Sequence, residues 1–214
     1  MSERDDIYQT LPGHASDFRF DAAVARVFPD MIKRSVPGYA ETVAMSGIIA
    51  GRYARANTNL YDLGCSLGAV TLAMRHGVRA DGCCVVGVDN SASMIERANH
   101  YIALDDSSLA GASVPVELVC ADICEYPVAN ASVTALNYVL QFIQPEQRLT
   151  LLQRIADATM PGGVLILSEK LCFDDQEQLV QDALHLDFKR ANGYSELEIA
   201  RKRSAIENVL IPET

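Results

Sequence analysis

Apolar residues gather in five short runs, each separated from the next by a longer stretch of mixed polarity. The runs are NLYDL at 59–63, CVVGVD at 84–89, VELVC at 116–120, VTALNYVLQF at 133–142 and VLILS at 164–168. CVVGVD in particular stays apolar instead of alternating, as a parallel strand covered on both faces does. Helical patterns fill the gaps. Five strands with helices between them predict βαβ repeats, hence an α/β fold with a mostly parallel sheet and helices on both faces.

Local signals place the helices. Residues 1–19 carry no clear pattern. Asp21 can cap a helix over 21–28, which Pro29 interrupts. Val36-Pro37-Gly38-Tyr39 reads as a turn, and a helix over 39–53 is expected to turn Ile48 and Ile49 toward the core. Ser93-x-x-Glu96 is a capping box for a helix after the second strand. A helix over 145–160 is followed by a turn at Pro161-Gly162-Gly163. Asp174 or Asp175 caps a helix through about Arg190 that Asn192-Gly193 ends, and Ser195-x-x-Glu198 opens another. On that last helix Ile199, Arg203, Ile206 and Leu210 share a face, with Arg201 and Lys202 turned to solvent. The arginine either pairs with a carboxylate or snorkels to water.

The first strand leads into the most informative stretch, D-L-G-C-S-L-G at 62–68. Gly64 and Gly68 bracket Cys65, Ser66 and Leu67. Glycines at a turn ahead of a helix N-terminus let backbone come close to a polar ligand. The dinucleotide fingerprint would read G-x-G-x-x-G; this one is D-x-G-x-x-x-G, which resembles motif I of class I S-adenosylmethionine-dependent enzymes. An ordinary strand–helix turn with two glycines is the plainer alternative. Asp89 ends the second strand 21 residues beyond Gly68, the placement of an acid that accepts from ribose hydroxyls; capping the next helix is the competing role. Asp122 and Ile123 end the third strand, where a carboxylate can accept from an exocyclic amine and an aliphatic chain can cover a ring; a plain loop aspartate is the alternative. Asn137 sits in an apolar run and needs partners, from a ligand or from the core. Tyr39 is either a lid or a packed turn aromatic.

Composition narrows the function. The chain has 214 residues, 49% of them hydrophobic, and a net charge of −10. Such a chain is a poor grip for phosphate backbones, so direct nucleic-acid binding is not expected. No segment approaches the roughly 20 apolar residues of a membrane span, and MSERDDIYQT lacks a signal-peptide core. The six cysteines form no C-x-x-C and the four histidines are scattered, so a reduced cytoplasmic protein without a metal site is expected.

Taken together, VFPDMIKRSVPGY (27–39), YDLGCSLGA (61–69), VDNSASMIERA (88–98), LNYVLQF (136–142), PGGVLILSEK (161–170) and DFKRANGYSELE (187–198) resemble the carboxy-S-adenosyl-L-methionine synthase family. The departures are Tyr138 where the family often has Phe, Ala121 where Gly often precedes the Asp, and the C-terminus. The resemblance implies a Rossmann-like class I methyltransferase fold, within one domain made of an N-terminal helical cap (1–56), an α/β core that binds S-adenosyl-L-methionine (57–172) and a C-terminal helical segment (173–214). The family's C-terminal strand hairpin is expected to be absent, because no β-rich run follows Ser168.

It further implies that S-adenosyl-L-methionine and prephenate become carboxy-S-adenosyl-L-methionine and phenylpyruvate. A tRNA carboxymethyltransferase would then use the product at wobble uridine. The residues implied to line the cofactor are Tyr39, Gly64, Cys65, Ser66, Asp89, Asn90, Asp122, Ile123, Asn137 and Arg203, the last holding the new carboxylate. No general base is assigned, and a homodimer is what the family suggests. A conventional methyltransferase and a non-catalytic binding subunit are the rival readings.

Overall fold

The computed structural model describes residues 3–10, 18–108, 113–207 and 209–213. In chain order its elements are α1 (Ile7–Thr10), α2 (Ala22–Ser35), α3 (Tyr39–Tyr53), β1 (Asn59–Leu63), α4 (Ala69–Gly77), β2 (Cys84–Asp89), α5 (Ala92–Ser108), β3 (Val116–Cys120), β4 (Ala131–Asn137), α6 (Pro145–Ala158), β5 (Thr159–Ser168), α7 (Asp175–Ala191) and α8 (Glu196–Ile206). The chain divides into two compact units, Glu41–Glu169 and the pair of segments Met1–Ala40 and Lys170–Thr214.

The unit Glu41–Glu169 holds a five-stranded sheet in the order β3-β2-β1-β4-β5. Every pairing is parallel. Side chains alternate between its faces, and both faces are covered. Tyr61, Leu63, Val86, Val88 and Leu136 pack with Leu151 and Ile155 of α6. Leu60, Val85, Val133 and Ala135 pack with Met74 of α4 and Ala50 of α3. The strand order reverses between β1 and β4, and in such sheets the crevice outside the carboxyl ends of the strands at that reversal is where ligands bind.

Helix α3 docks by small residues. A Cβ on Gly77 would lie 2.0 Å from the Gly47 carbonyl oxygen, and one on Gly51 would lie 2.6 Å from that of Gly77. The two backbones therefore touch, and Ser46, Gly47 and Ala50 form the buried face. Ile48, expected inside, is 65% exposed, because its side chain is too large for that contact.

Other boundaries also differ from expectation. Strand β5 begins at Thr159, not after the Pro-Gly-Gly turn: Thr159 pairs with Ala131 and Val164 with Val133, and the residues between them bulge out of register. Gly162 supplies a positive φ of 79° within that bulge. Strand β4 ends at Asn137, where Tyr138 takes a φ of 60° and starts the short 3-10 turn Leu140–Phe142. Glu169 holds this turn: its Oε1 accepts from the Val139 and Leu140 amides at 3.1 and 2.7 Å, and its Oε2 from Gln141 at 3.2 Å. Helix α5 is capped by Ser91, whose Oγ accepts from the Met94 amide, rather than by Ser93.

In the other unit, α2 continues through Pro29. Proline removes one backbone hydrogen bond and costs about 3 kcal/mol. Burial of Val27 and Met31 on either side, about 1.5–3 kcal/mol each, offsets it. Asp21 caps this helix through the Ala23 and Val24 amides, Asp174 caps α7, and Ser195 with Glu198 forms the capping box of α8, all as expected.

Arg34, Ser35, Tyr194 and Lys202 build a buried polar knot with Asp5. Lys202 Nζ donates to Ser35 Oγ at 2.8 Å and lies 3.7 Å from Asp5 Oδ2. The Tyr194 hydroxyl donates to the same carboxylate, and the Arg34 guanidinium stacks 3.9 Å over the Tyr194 ring. After Ser168 the described residues contribute only a single parallel bridge between Leu171 and Glu213.

Candidate functional site

The site begins where β1 runs out. Gly64 takes a φ of 80°, and a Cβ there would lie 2.4 Å from Val139 Cγ2. The Gly64 and Cys65 amides both donate to the Val88 carbonyl, at 2.7 and 3.0 Å. Ser66, also at positive φ, donates its amide to Asp89 Oδ2 at 2.9 Å. Asp89 Oδ1 accepts from the Ser91 amide at 2.9 Å. The carboxylate at the end of β2 thus laces the glycine turn to the start of α5, and each oxygen keeps a lone pair for a hydroxyl. Gly68, at φ 80°, leads into α4, whose first turn has no side-chain cap.

Beneath the turn, Asp62 is 2% exposed and accepts from Thr71 Oγ1 at 2.6 Å. Burial raises its pKa to about 6; the hydrogen bonds from Thr71 oppose the rise and the Asp89 charge adds to it. Asp89 is also raised by burial, against the pull of the Ser91 and Ser66 amides. Neither carboxylate has an ion pair among the described residues. The Cys65 thiol is pushed well above its ordinary value, first by burial and then by Asp62 and Asp89, and its buried side chain fills space beneath the turn. Gly87 makes room for it: a Cβ there would meet Leu118 Cδ2 at 2.7 Å, Thr71 Oγ1 at 3.1 Å and Cys65 Sγ at 3.2 Å.

The neighbouring strand ends supply the rest. The Ala121 amide donates to the Asp89 carbonyl, which ties the third strand end to the second. Exposed Asp122 accepts from the Cys124 amide at 2.8 Å, with buried Ile123 beside it. Asn90 is exposed after β2. On β4, Asn137 Oδ1 is buried with no hydrogen-bond partner among the described residues. An unpaired buried amide oxygen costs about 1–3 kcal/mol, and a ligand donor at this strand end would recover it.

Hydrogen bonds therefore bring Gly64, Cys65, Ser66 and Asp89 directly together, with Asn90, Asp122, Ile123 and Asn137 at the same edge of the sheet. Two acids without cations suit a ligand that is itself cationic. Asp62, Thr71, Val139 and Glu169 were not foreseen as supports. Only Asp62 had a visible signal, its place two residues before Gly64.

Tyr39 and Arg203 belong to the other unit. Tyr39 is the half-buried first residue of α3. The expectation that Arg203 lies in an apolar stripe with Lys202 in solvent is reversed. Glu198, Ile199, Lys202 and Ala205 form the buried face of α8. The Arg203 side chain is 64% exposed, its Nη2 3.8 Å from Asp182 Oδ2. The buried acceptors Asp5 and Ser35 draw Lys202 inward, and the helix turns Arg203 outward with it.

Comparison with known proteins supplies the family. Residues 60–163 match the methyltransferase domain family. The chain is 62% identical to the carboxy-S-adenosyl-L-methionine synthase of Marinobacter nauticus over 92% of its length and 78% of that protein's. It is 60% identical to that of Pseudomonas putida and 54% identical to that of Trichlorobacter lovleyi, each over 100% of this chain and 87% of the relative. Among solved structures, the plantazolicin methyltransferase BpumL in complex with S-adenosylhomocysteine superposes with a TM-score of 0.56 at 14% identity, covering 89% of this chain and 68% of its own. The mitomycin 7-O-methyltransferase MmcR reaches 0.53 at 18% identity, covering 86% and 50%. These likenesses carry the class I methyltransferase fold. The relatives carry more: the chain belongs to the carboxy-S-adenosyl-L-methionine synthase family of enzymes.

Proposed function

We propose that the chain converts S-adenosyl-L-methionine and prephenate into carboxy-S-adenosyl-L-methionine and phenylpyruvate. The observation that carries the binding half is the pairing of two unneutralised carboxylates, Asp62 and Asp89, with the orphaned Asn137 oxygen at one sheet edge. Asp89, with Asn90, receives the ribose hydroxyls. Asp122 accepts from the adenine amine while Ile123 packs on its face. Gly64, Cys65 and Ser66 lie along the amino-acid tail, and Asn137 Oδ1 accepts from that end of the ligand. Tyr39 covers the ligand, and Arg203 holds the carboxylate that distinguishes product from substrate.

The sulfonium supplies an acidic methyl group. Prephenate aromatises to phenylpyruvate with loss of carbon dioxide and hydroxide. The hydroxide takes a methyl proton to give water, and the methyl carbon captures the carbon dioxide, so atoms and charge balance without a protein base. What the residues contribute is orientation and exclusion of water from the reacting carbon. On this reading the product passes to a tRNA carboxymethyltransferase that modifies wobble uridine, and this acidic chain does not itself bind nucleic acid. The enzyme works in the cytoplasm as a homodimer; the exposed Leu179, Val180 and Leu184 on α7 support such an interface.

The test is direct. Incubation with S-adenosyl-L-methionine and prephenate is expected to yield a sulfonium heavier by one carbon dioxide. Formation of S-adenosylhomocysteine alone would make the protein an ordinary methyltransferase.

A further inference from the structure

The chain leaves β4 through a residue with a strained backbone. Tyr138 takes a φ of 60°, and a bulky side chain keeps that left-handed geometry only where its surroundings over-determine it. The end of β5 supplies the restraints. The Tyr138 amide donates to the Ser168 carbonyl at 2.7 Å, one step past the Asn137–Ser168 pair that ends the β4–β5 ladder. Glu169, the residue after β5, then takes the next three amides in succession. Its Oε1 accepts from Val139 and Leu140, and its Oε2 from Gln141. An ionised carboxylate has lone pairs enough for all three. Leu140 is buried with Leu151 and Ile155 of α6, which seats the clamped turn on the core. The two side chains that flank Tyr138 both bear on the site. A Cβ on Gly64 would lie 2.4 and 2.8 Å from the two methyl carbons of Val139. The Asn137 Oδ1 is the buried oxygen without a partner among the described residues. All of these residues belong to the one unit Glu41–Glu169.

We propose that Glu169 is a positioning residue for the S-adenosyl-L-methionine site. Its clamp on residues 139–141 holds Tyr138 left-handed, with two effects at the site. The Val139 side chain is pressed against Gly64, which confines the glycine turn. The Asn137 side chain is fixed at the end of β4, its amide oxygen toward the amino-acid end of the ligand on the reading above. Without the clamp, the turn relaxes and relieves the strain at Tyr138, and Asn137 spends part of its time out of position. A ligand then binds with an affinity reduced by the fraction of molecules that remain competent. This role differs from a purely structural one. A carboxylate that only stabilised the fold would raise the melting temperature without any coupling to Asn137.

The inference rests on the reading that Asn137 meets the ligand, and a double-mutant cycle separates the two. S-adenosyl-L-methionine is titrated calorimetrically into the full-length protein carrying Glu169→Ala, Asn137→Ala or both. Glu169→Ala is expected to weaken binding about 10- to 100-fold. Glu169→Gln keeps one acceptor oxygen and loses the other, so its affinity should fall between that of Glu169→Ala and the wild type. In the Asn137→Ala background, Glu169→Ala should cost at least about threefold less than it does alone. Thermal melts report whether each variant is folded. Should Glu169→Ala fail to fold, Glu169→Gln carries the cycle. Wild-type affinity in the decisive Glu169 variant overturns the proposal, as does an equal loss in both backgrounds, which marks a structural carboxylate. Failure of the parent reading shows separately, as an Asn137→Ala protein that binds S-adenosyl-L-methionine like the wild type, and it takes the proposal with it.

Discussion

Two regions of this molecule concentrate charge, and they are built in opposite ways. At the glycine turn the charges are negative, buried and gripped by hydrogen bonds, with Asp62 on Thr71 and Asp89 on the Ser66 and Ser91 amides. Around Asp5 the charges are of both signs: Lys202 Nζ stands 3.7 Å from its carboxylate, the Tyr194 hydroxyl donates to it, and the Arg34 guanidinium stacks over the Tyr194 ring. The difference teaches what each region can hold. Carboxylates fixed without counter-ions pre-organise a place for a cation, whereas a carboxylate already met by an ammonium and a phenol is committed to holding the fold.

The contrast can be broken at the acidic end first. The folded pKa of Asp62 lies above its unfolded value, so its protonated form favours the fold. Stability from this group is fully present below about pH 4 and is lost as pH rises through about 6. The shift from 3.8 to about 6 amounts to about 3 kcal/mol of pH-dependent destabilisation. Asp62→Asn is expected to remove that dependence in denaturant melts without ligand. Parallel pH profiles for the two proteins would contradict the buried, unneutralised state of Asp62.

Next in size is Asp89→Ala. Loss of charged hydrogen bonds to two hydroxyls is expected to weaken S-adenosyl-L-methionine binding about 100-fold by calorimetry; unchanged affinity would remove Asp89 from the site. Smaller again is Gly64→Ala, which adds a Cβ against Val139 at positive φ and is expected to cost about 2 kcal/mol in thermal stability. Val139→Ala in the same chain should recover the packing part and leave the backbone part. Full recovery would mean that φ is not strained.

The sheet was largely legible because its signals are local. A continuous apolar run such as 84–89 has one comfortable home, between two helical layers. The strand-end acids could be read for the same reason, each being the first polar group after such a run. What could not be read depends on neighbours distant in sequence. Ile48 is outside because Gly47 meets Gly77. Lys202 is inside because Asp5 and Ser35 wait there, and that rotates Arg203 outward. Pro29 sits within a helix because burial around it outweighs one lost hydrogen bond. The knot around Asp5 draws on residues 5, 34, 35, 194 and 202, a spacing no motif describes.

One measurement bears most directly on the central claim, that this fold joins a cationic nucleoside to a carboxylate donor. Prephenate labelled with heavy carbon at its ring carboxylate is incubated with the protein and S-adenosyl-L-methionine, and the sulfonium products are weighed. The account predicts carboxy-S-adenosyl-L-methionine carrying the label in its new carboxyl group. An unlabelled sulfonium pool accompanied only by S-adenosylhomocysteine would contradict it.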